Sequence, residues 1–112
     1  MSNCKNFIEY SKNDLIHESA ITGENASINS FVTIGQNVEI GEECFIGIES
    51  SLHQNSIDRD LSILSVNTFG KGNLGPCLKY LGNLAIPISI NLFAINKSNE
   101  NEIKILSEAN KF

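Results

Sequence analysis

The sequence predicts an all-β protein, a parallel solenoid that turns a corner every six residues. Three observations support this class. Apolar residues recur with a period of six, small residues recur four positions after them, and residue types that favour turns follow them immediately. Six is neither the 3.6-residue period of an α-helix nor the strict alternation of a hairpin strand, so both are disfavoured. A chain with this repeat can stack its coils, each covering the apolar side of the previous one.

Three columns of residues carry the repeat. The apolar column contains Ile16, Thr22, Ile28, Ile34, Ile40, Ile46 and Leu52. The small column, expected to point into a narrow interior, contains Ala20, Ala26, Val32, Val38, Cys44, Ser50 and Ser56. The third column predicts turns, because Gly, Asn and His tolerate positive φ. It contains His17, Gly23, Asn29, Gly35, Gly41, Gly47 and His53.

The period is predicted to slip by one residue just after Leu52. Continuation of the apolar column would place Asp58 in the interior, whereas Ile57 and Ile63 are themselves six residues apart. A slip of this kind changes the direction of a side chain, as bulges do near active sites. Because His53 lies at the slip, it is a candidate site residue.

Composition excludes several classes of function. Eight Lys and Arg against 13 Asp and Glu give a net charge of −5, the wrong sign for binding nucleic acid. The two histidines are too few for a three-histidine metal site within one chain, and no metal is expected. Three cysteines without a CxxC spacing suit reduced thiols, and no stretch is typical of a signal peptide or a membrane span. We therefore expect a cytoplasmic protein with no membrane partner.

The run from Ile28 to Gly47 resembles the hexapeptide repeat of left-handed parallel β-helix acyltransferases, in which three hexapeptides form one triangular coil. The segment Ile16-His17-Glu18-Ser19-Ala20 is similar to the motif that opens the helix in bacterial sugar acetyltransferases of the sialic-acid O-acetyltransferase type. Residues 80–88 resemble a degraded form of their closing motif. The resemblance implies a left-handed β-helix, acetyl-CoA as co-substrate, a sugar or nucleotide-sugar acceptor and a homotrimer.

The chain is predicted to divide into a lead-in, a repeat of about three coils, and a loop followed by a C-terminal extension: residues 1–13, 14–66 and 67–112. Frequent Gly and Asn between Val66 and Pro76 predict the loop. Alternating apolar residues from Leu84 to Leu92 predict a strand, and Glu102 to Ala109 could form a short amphipathic helix.

The stretch from His53 to Ile63 is similar to the one that carries the catalytic histidine in the resembled family. His53 is therefore the candidate general base. Three positions depart from the family's pattern: Gln54, Asp58 and Ser62. Because Gln54 replaces an acidic neighbour, the carboxylate that orients His53 must come from elsewhere, and Glu49 or Asp58 are the candidates. Acyl transfer from a thioester needs only this base and an oxyanion donor, without a covalent enzyme intermediate.

Gly70, Lys71 and Gly72 are interpreted first as a plain loop, and they are also the candidate contacts to the phosphates or pantetheine of acyl-CoA. His53 also has an alternative interpretation as a turn residue, and His17 is interpreted as structural. The alternative to an acetyltransferase is a non-catalytic solenoid that acts as a structural or partner-binding subunit. A γ-class carbonic anhydrase on the same fold would need three metal-binding histidines and is disfavoured.

Overall fold

The computed structural model describes residues 7–8 and 13–92, which form a parallel β-helix. The strands in these residues are short. They are β1 (Phe7–Ile8), β2 (Leu15–His17), β3 (Ile21–Thr22), β4 (Ser27–Ile28), β5 (Thr33–Ile34), β6 (Glu39–Ile40), β7 (Phe45–Ile46), β8 (Ser51–Leu52), β9 (Ile57–Asp58), β10 (Ile63–Leu64), β11 (Phe69–Gly70), β12 (Asn73–Leu74), β13 (Leu78–Leu81) and β14 (Ile86–Ile90).

Three sheets form the sides of the helix. Sheet A has the order β1-β2-β5-β8-β11, sheet B β3-β6-β9-β12, and sheet C β4-β7-β10-β13-β14. Pairing between successive coils is parallel, while β1 and β14 add antiparallel strands to β2 and β13. Three consecutive strands make one coil, so β2 to β13 build four coils in the described part of the chain. The sequence had predicted three.

Each two-residue strand sends one side chain out and one side chain in. Thr33 is exposed and Ile34 is fully buried, and the same pattern recurs at Glu39 and Ile40. The inward residues stack along the axis into one core of Ile and Leu, and the small column lines the interior beside them. Cys44 lies in this interior, as predicted. This packing explains why the apolar period is six.

The apolar column continues without a slip through the third coil. Ile40 pairs with Asp58, and Ile46 pairs with Leu64. Asp58 therefore occupies an interior position, with 1% of its surface exposed. The predicted slip was wrong, because Ile57, which suggested it, is the outward-facing residue of β9.

A real shortening occurs one coil later. Leu52 pairs with Gly70, but Asp58 pairs with Leu74, so the corner between β11 and β12 lacks two residues of the repeat. Gly72 makes this tight corner with a φ of +81°. The segment that was predicted as a loop thus forms most of a fourth coil. The six-residue period did not predict its strands, because the inward residues Gly70 and Leu74 are only four residues apart.

The third column forms the corners, as predicted, but positive φ is not the reason for its glycines. The residues with positive φ lie two positions further along, among them Asn25, Asn37, Glu43, Glu49, Asn55 and Leu61. Glycine instead avoids a collision with the next coil, since a Cβ at Gly35 would lie 2.8 Å from the backbone nitrogen of Gln54. The missing side chain lets the coils approach closely.

The strand predicted between Leu84 and Leu92 is present as β14, at the edge of sheet C. The helix predicted for residues 102–109 lies outside the described residues. Among the residues that the structure describes, no helix is long and apolar enough to cross a membrane.

Candidate functional site

A groove of about 530 Å³ lies along the corner between sheets A and B, and we call it the histidine groove. His17, Gly35 and His53 line it from three consecutive coils, because they occupy the same place in the repeat. Gly35 lies between the two histidines and carries no side chain. The groove is therefore open between His17 and His53, with Phe69 at its other end.

His53 presents an exposed ring from a fixed backbone. Its N–H donates to the carbonyl of Gly70 at 2.8 Å, and its carbonyl accepts from the N–H of Ser56 at 3.1 Å. The imidazole packs edge-on against Phe69, with ring centroids 6.0 Å apart and an interplanar angle of 72°. The ring is thereby held on the surface of the groove, where a substrate can reach it.

His17, which the sequence interpretation took as structural, lines the same groove. Its Nδ1 accepts a hydrogen bond from the backbone N–H of Ser19 at 3.1 Å and lies 2.7 Å from the Ser19 hydroxyl. Because Nδ1 acts as an acceptor, the proton of the neutral imidazole is on Nε2. His17 and His53 belong to the same column of the repeat, and this sequence pattern could have predicted that both line one groove.

The structure does not bring the two candidate carboxylates to His53. Glu49 lies at the corner before β8 and His53 at the corner after it, so this strand separates them. Asp58 points into the interior instead of the histidine groove. No carboxylate of the described residues lines this groove.

Asp58 belongs to a buried polar cluster with Ser62 and Cys44. The Ser62 hydroxyl donates to Oδ1 of Asp58 and lies 3.5 Å from Sγ of Cys44, while Oδ2 of Asp58 has no hydrogen-bond partner among the described residues. Burial raises the pKa of Asp58 to about 7, against the opposing effect of hydrogen bonds from Ser62 and Cys44. Burial and the nearby Asp58 raise the pKa of the Cys44 thiol to about 12. The cluster is part of the core, and its thiol is unreactive at neutral pH.

Of the three candidate acyl-CoA contacts, only Lys71 lines a groove. Gly70 is an interior position, where a Cβ would come within 2.6 Å of the Leu52 side chain. Gly72 forms the tight corner and donates its N–H to the Ser56 hydroxyl at 3.1 Å. Lys71 is exposed on a second groove of about 520 Å³. We call this the basic groove, and it is lined by Arg59, Lys71, Asn73, Leu74, Gly75, Pro76, Tyr80, Ala85 and Pro87.

The described residues hold no group of three or more His, Cys, Asp or Glu side chains that could bind a metal ion.

No protein-family model and no curated protein matches the chain. Among solved structures, the chain is similar to UDP-N-acetylglucosamine O-acyltransferase from Moraxella catarrhalis, with 21% identity and a TM-score of 0.74. This match covers 88% of this chain and 39% of that one, so the chain spans less than half of the acyltransferase. A mutant of perosamine N-acetyltransferase from Caulobacter crescentus, in complex with CoA and GDP-perosamine, aligns with 16% identity and a TM-score of 0.30, over 71% of this chain and 58% of that one. The first likeness shows the fold, and it confirms the predicted left-handed parallel β-helix.

Proposed function

We propose that the protein is an acyltransferase that moves an acyl group from acyl-CoA to a hydroxyl or amino group of a sugar. The observation that carries the proposal is the histidine groove, in which His17 and His53 flank an open space on the outside of the β-helix. The fold is shared with an enzyme that acylates a nucleotide sugar, which supports the same class of reaction.

His53 acts as the general base in this proposal. Its neutral imidazole takes the proton of the acceptor hydroxyl or amine while the acceptor oxygen or nitrogen attacks the thioester carbonyl. The tetrahedral intermediate then collapses, the C–S bond breaks, and the imidazolium returns its proton to the departing thiolate. No group of the enzyme becomes acylated, so the buried Cys44 has no part in the reaction.

His17 lies on the same groove, and the bonds that Ser19 makes to Nδ1 fix the orientation of its ring. One coil, that of Gly35, lies between His17 and His53, so two rises of about 4.8 Å put them about 10 Å apart, a span that a nucleotide sugar can bridge. We assign His17 to contacting the acceptor.

The finer assignments belong to the same proposal. We infer acetyl-CoA as the donor, a sugar or nucleotide sugar as the acceptor, and a homotrimer as the working form. Because no described carboxylate lines the histidine groove, a neighbouring subunit is the expected source of the one that orients His53. The buried thiols Cys44 and Cys77 fit a reducing compartment, and we place the protein in the cytoplasm.

The test is release of CoA thiol from acetyl-CoA in the presence of a panel of nucleotide sugars. His53→Asn is the informative variant, because Asn29 occupies the same place in the repeat and the corner should be preserved. Loss of a general base should lower the rate by about 10²-fold to 10⁴-fold. Glu24→Gln, at an exposed position that does not line the groove, is the control and should retain activity. Full activity of His53→Asn would refute the assignment.

A non-catalytic, partner-binding solenoid is the second candidate, and the apolar surface near β14 favours it. Leu84, Ile86 and Leu92 are 52%, 60% and 73% exposed. The melting temperature with and without acetyl-CoA separates the two candidates, because ligand at 100 times its Kd should stabilise the native state by about 2.7 kcal/mol. A saturable rise supports the transferase, and no shift at millimolar ligand supports the solenoid.

A further inference from the structure

We propose that the basic groove at the C-terminal end of the helix binds the phosphate groups of a substrate, held by Arg59, Lys71, Asn73 and Tyr80. Anion binding itself is argued from the groove. The identity of the ligand as acyl-CoA or a nucleotide sugar rests on the proposed function.

The distribution of charge points to an anion. The described residues carry nine Asp and Glu and only three cations, which are Arg59, Lys71 and Lys79. Two of these three cations line one groove, and no carboxylate lines it. Neither Arg59 nor Lys71 forms an ion pair within the described part of the chain. In a chain of net charge −5, this groove is a local reversal of sign that suits a phosphate.

Tyr80 adds a neutral donor to the floor of the basic groove. Its side chain is 95% buried, and its hydroxyl oxygen accepts the N–H of Gly75 at 2.6 Å. Burial raises the pKa of Tyr80, so the hydroxyl keeps its proton at neutral pH. While its oxygen accepts this bond, the hydroxyl can still donate its hydrogen to a ligand in the groove that Tyr80 lines.

The backbone holds both cations that line the groove in defined positions. The N–H of Arg59 donates to the carbonyl of Leu74 at 3.2 Å, which ties the third coil to the fourth. Lys71 immediately precedes Gly72 at the corner that lacks two residues of the repeat. The exposed side chain of Asn73 follows on β12. Arginine and lysine side chains are common donors to phosphate oxygens, and the Asn73 amide adds a further donor to the lining of this groove.

The shared chemistry has two sources in the proposed reaction. Acyl-CoA carries a diphosphate and a ribose phosphate, and a nucleotide sugar carries a diphosphate. Inorganic pyrophosphate is therefore the first probe, followed by two matched pairs of compounds. CoA is compared with pantetheine, and UDP is compared with uridine, because the second member of each pair lacks the phosphates.

The experiment measures the Kd of pyrophosphate by calorimetry for the wild type and for Arg59→Gln, Lys71→Gln and Lys79→Gln. The third variant is the matched control, because Lys79 is exposed on β13 and does not line the groove. We expect Arg59→Gln and Lys71→Gln each to raise the Kd by about tenfold, as for the loss of a charged hydrogen bond. Lys79→Gln should leave it unchanged. Equal affinities for all three variants would overturn the proposal.

The paired compounds identify the ligand. If the variants weaken CoA and not pantetheine, the groove holds the donor, and if they weaken UDP and not uridine, it holds the acceptor. If the variants lose pyrophosphate binding and the wild type shows no acyl transfer, the phosphate-binding role of the basic groove is supported and the proposed function is rejected. Acyl transfer that depends on His53, combined with unchanged pyrophosphate binding in Arg59→Gln and Lys71→Gln, would reject the groove alone.

Discussion

Replacement of Asp58 by Asn should remove most of the pH dependence of stability between pH 5 and pH 8. The carboxyl lies in the apolar column between Ile40 and Leu74, with 1% of its surface exposed. One of its oxygens accepts a hydrogen bond from Ser62, and the other has no hydrogen-bond partner in the part of the chain that the structure describes. Such a site favours the neutral acid over the carboxylate, because water does not solvate the charge there.

The sign and size of the effect follow from the pKa of Asp58. Burial raises it from 3.8 to about 7 in the folded state, while the unfolded chain keeps the ordinary value. The folded state therefore holds a proton that the unfolded state has released, so the free energy of unfolding falls as the pH rises through this window. The raised pKa of Asp58 lowers the free energy of unfolding by about 4 kcal/mol in total once the pH is above both pKa values. About 3 kcal/mol of this loss should occur between pH 5 and pH 8.

Urea unfolding at a series of pH values measures this slope directly. The comparison is between wild type and Asp58→Asn, because the other titrating groups contribute to both proteins and cancel in the difference. Asp58→Leu, which restores the residue type of the column, provides a second variant if the amide is poorly accommodated. On thermal unfolding the wild type should lose on the order of 10 °C over the same range, and both variants should lose less.

An equal slope in the wild type and in both variants would refute this reasoning. It would mean that Asp58 is ionised in the folded state, solvated by water or by a cation within the helix. A steeper slope in the variants would have the same meaning.

Three further predictions concern the coil geometry and the interior. Gly41→Ala should lower the melting temperature, because the new Cβ would lie 2.6 Å from the backbone nitrogen of Asp60; the expected cost is about 1–3 kcal/mol. Asp14→Ala should cost a similar amount in urea unfolding, since the buried Oδ1 of Asp14 accepts the N–H of Val32 at 3.0 Å. A native-state thiol titration should give the same count for wild type and Cys44→Ser, because Cys44 is buried and its pKa is about 12; one additional thiol reacting in the wild type would contradict its burial.

The coil itself could be predicted from the sequence because its packing imposes a period on the residues. Inward positions must be apolar, and Ile16, Ile34 and Ile46 satisfy that rule visibly. The rule fails where the outward residue of a strand is apolar too. In β9 the outward Ile57 and the inward Asp58 exchange the expected roles, and hydrophobicity alone selects the wrong one. Only the pairing of Asp58 with Ile40 resolves the choice.

The interior carboxyl also shows why the surroundings of the candidate site could not be predicted completely. Proximity along the chain suggested Glu49 or Asp58 as the partner of His53. In a two-residue strand, however, adjacent side chains point to opposite sides, and each corner sends the chain to another face. Which residues share a groove depends on the coils above and below, which is why His17 and His53 line one groove and Glu49 does not.

The two proposed sites meet at one corner of the helix. Lys71 occupies the place in the fourth coil that His53 occupies in the third, and the two coils are joined there by the bond from His53 N–H to the Gly70 carbonyl. A rise of about 4.8 Å therefore separates the levels of the histidine groove and the basic groove. A ligand whose phosphates bind beside Lys71 can extend along the corner and place its reactive end near His53. Because the two residues have separate proposed roles, we expect Lys71→Gln to weaken phosphate binding. We expect His53→Asn to slow acyl transfer without weakening phosphate binding.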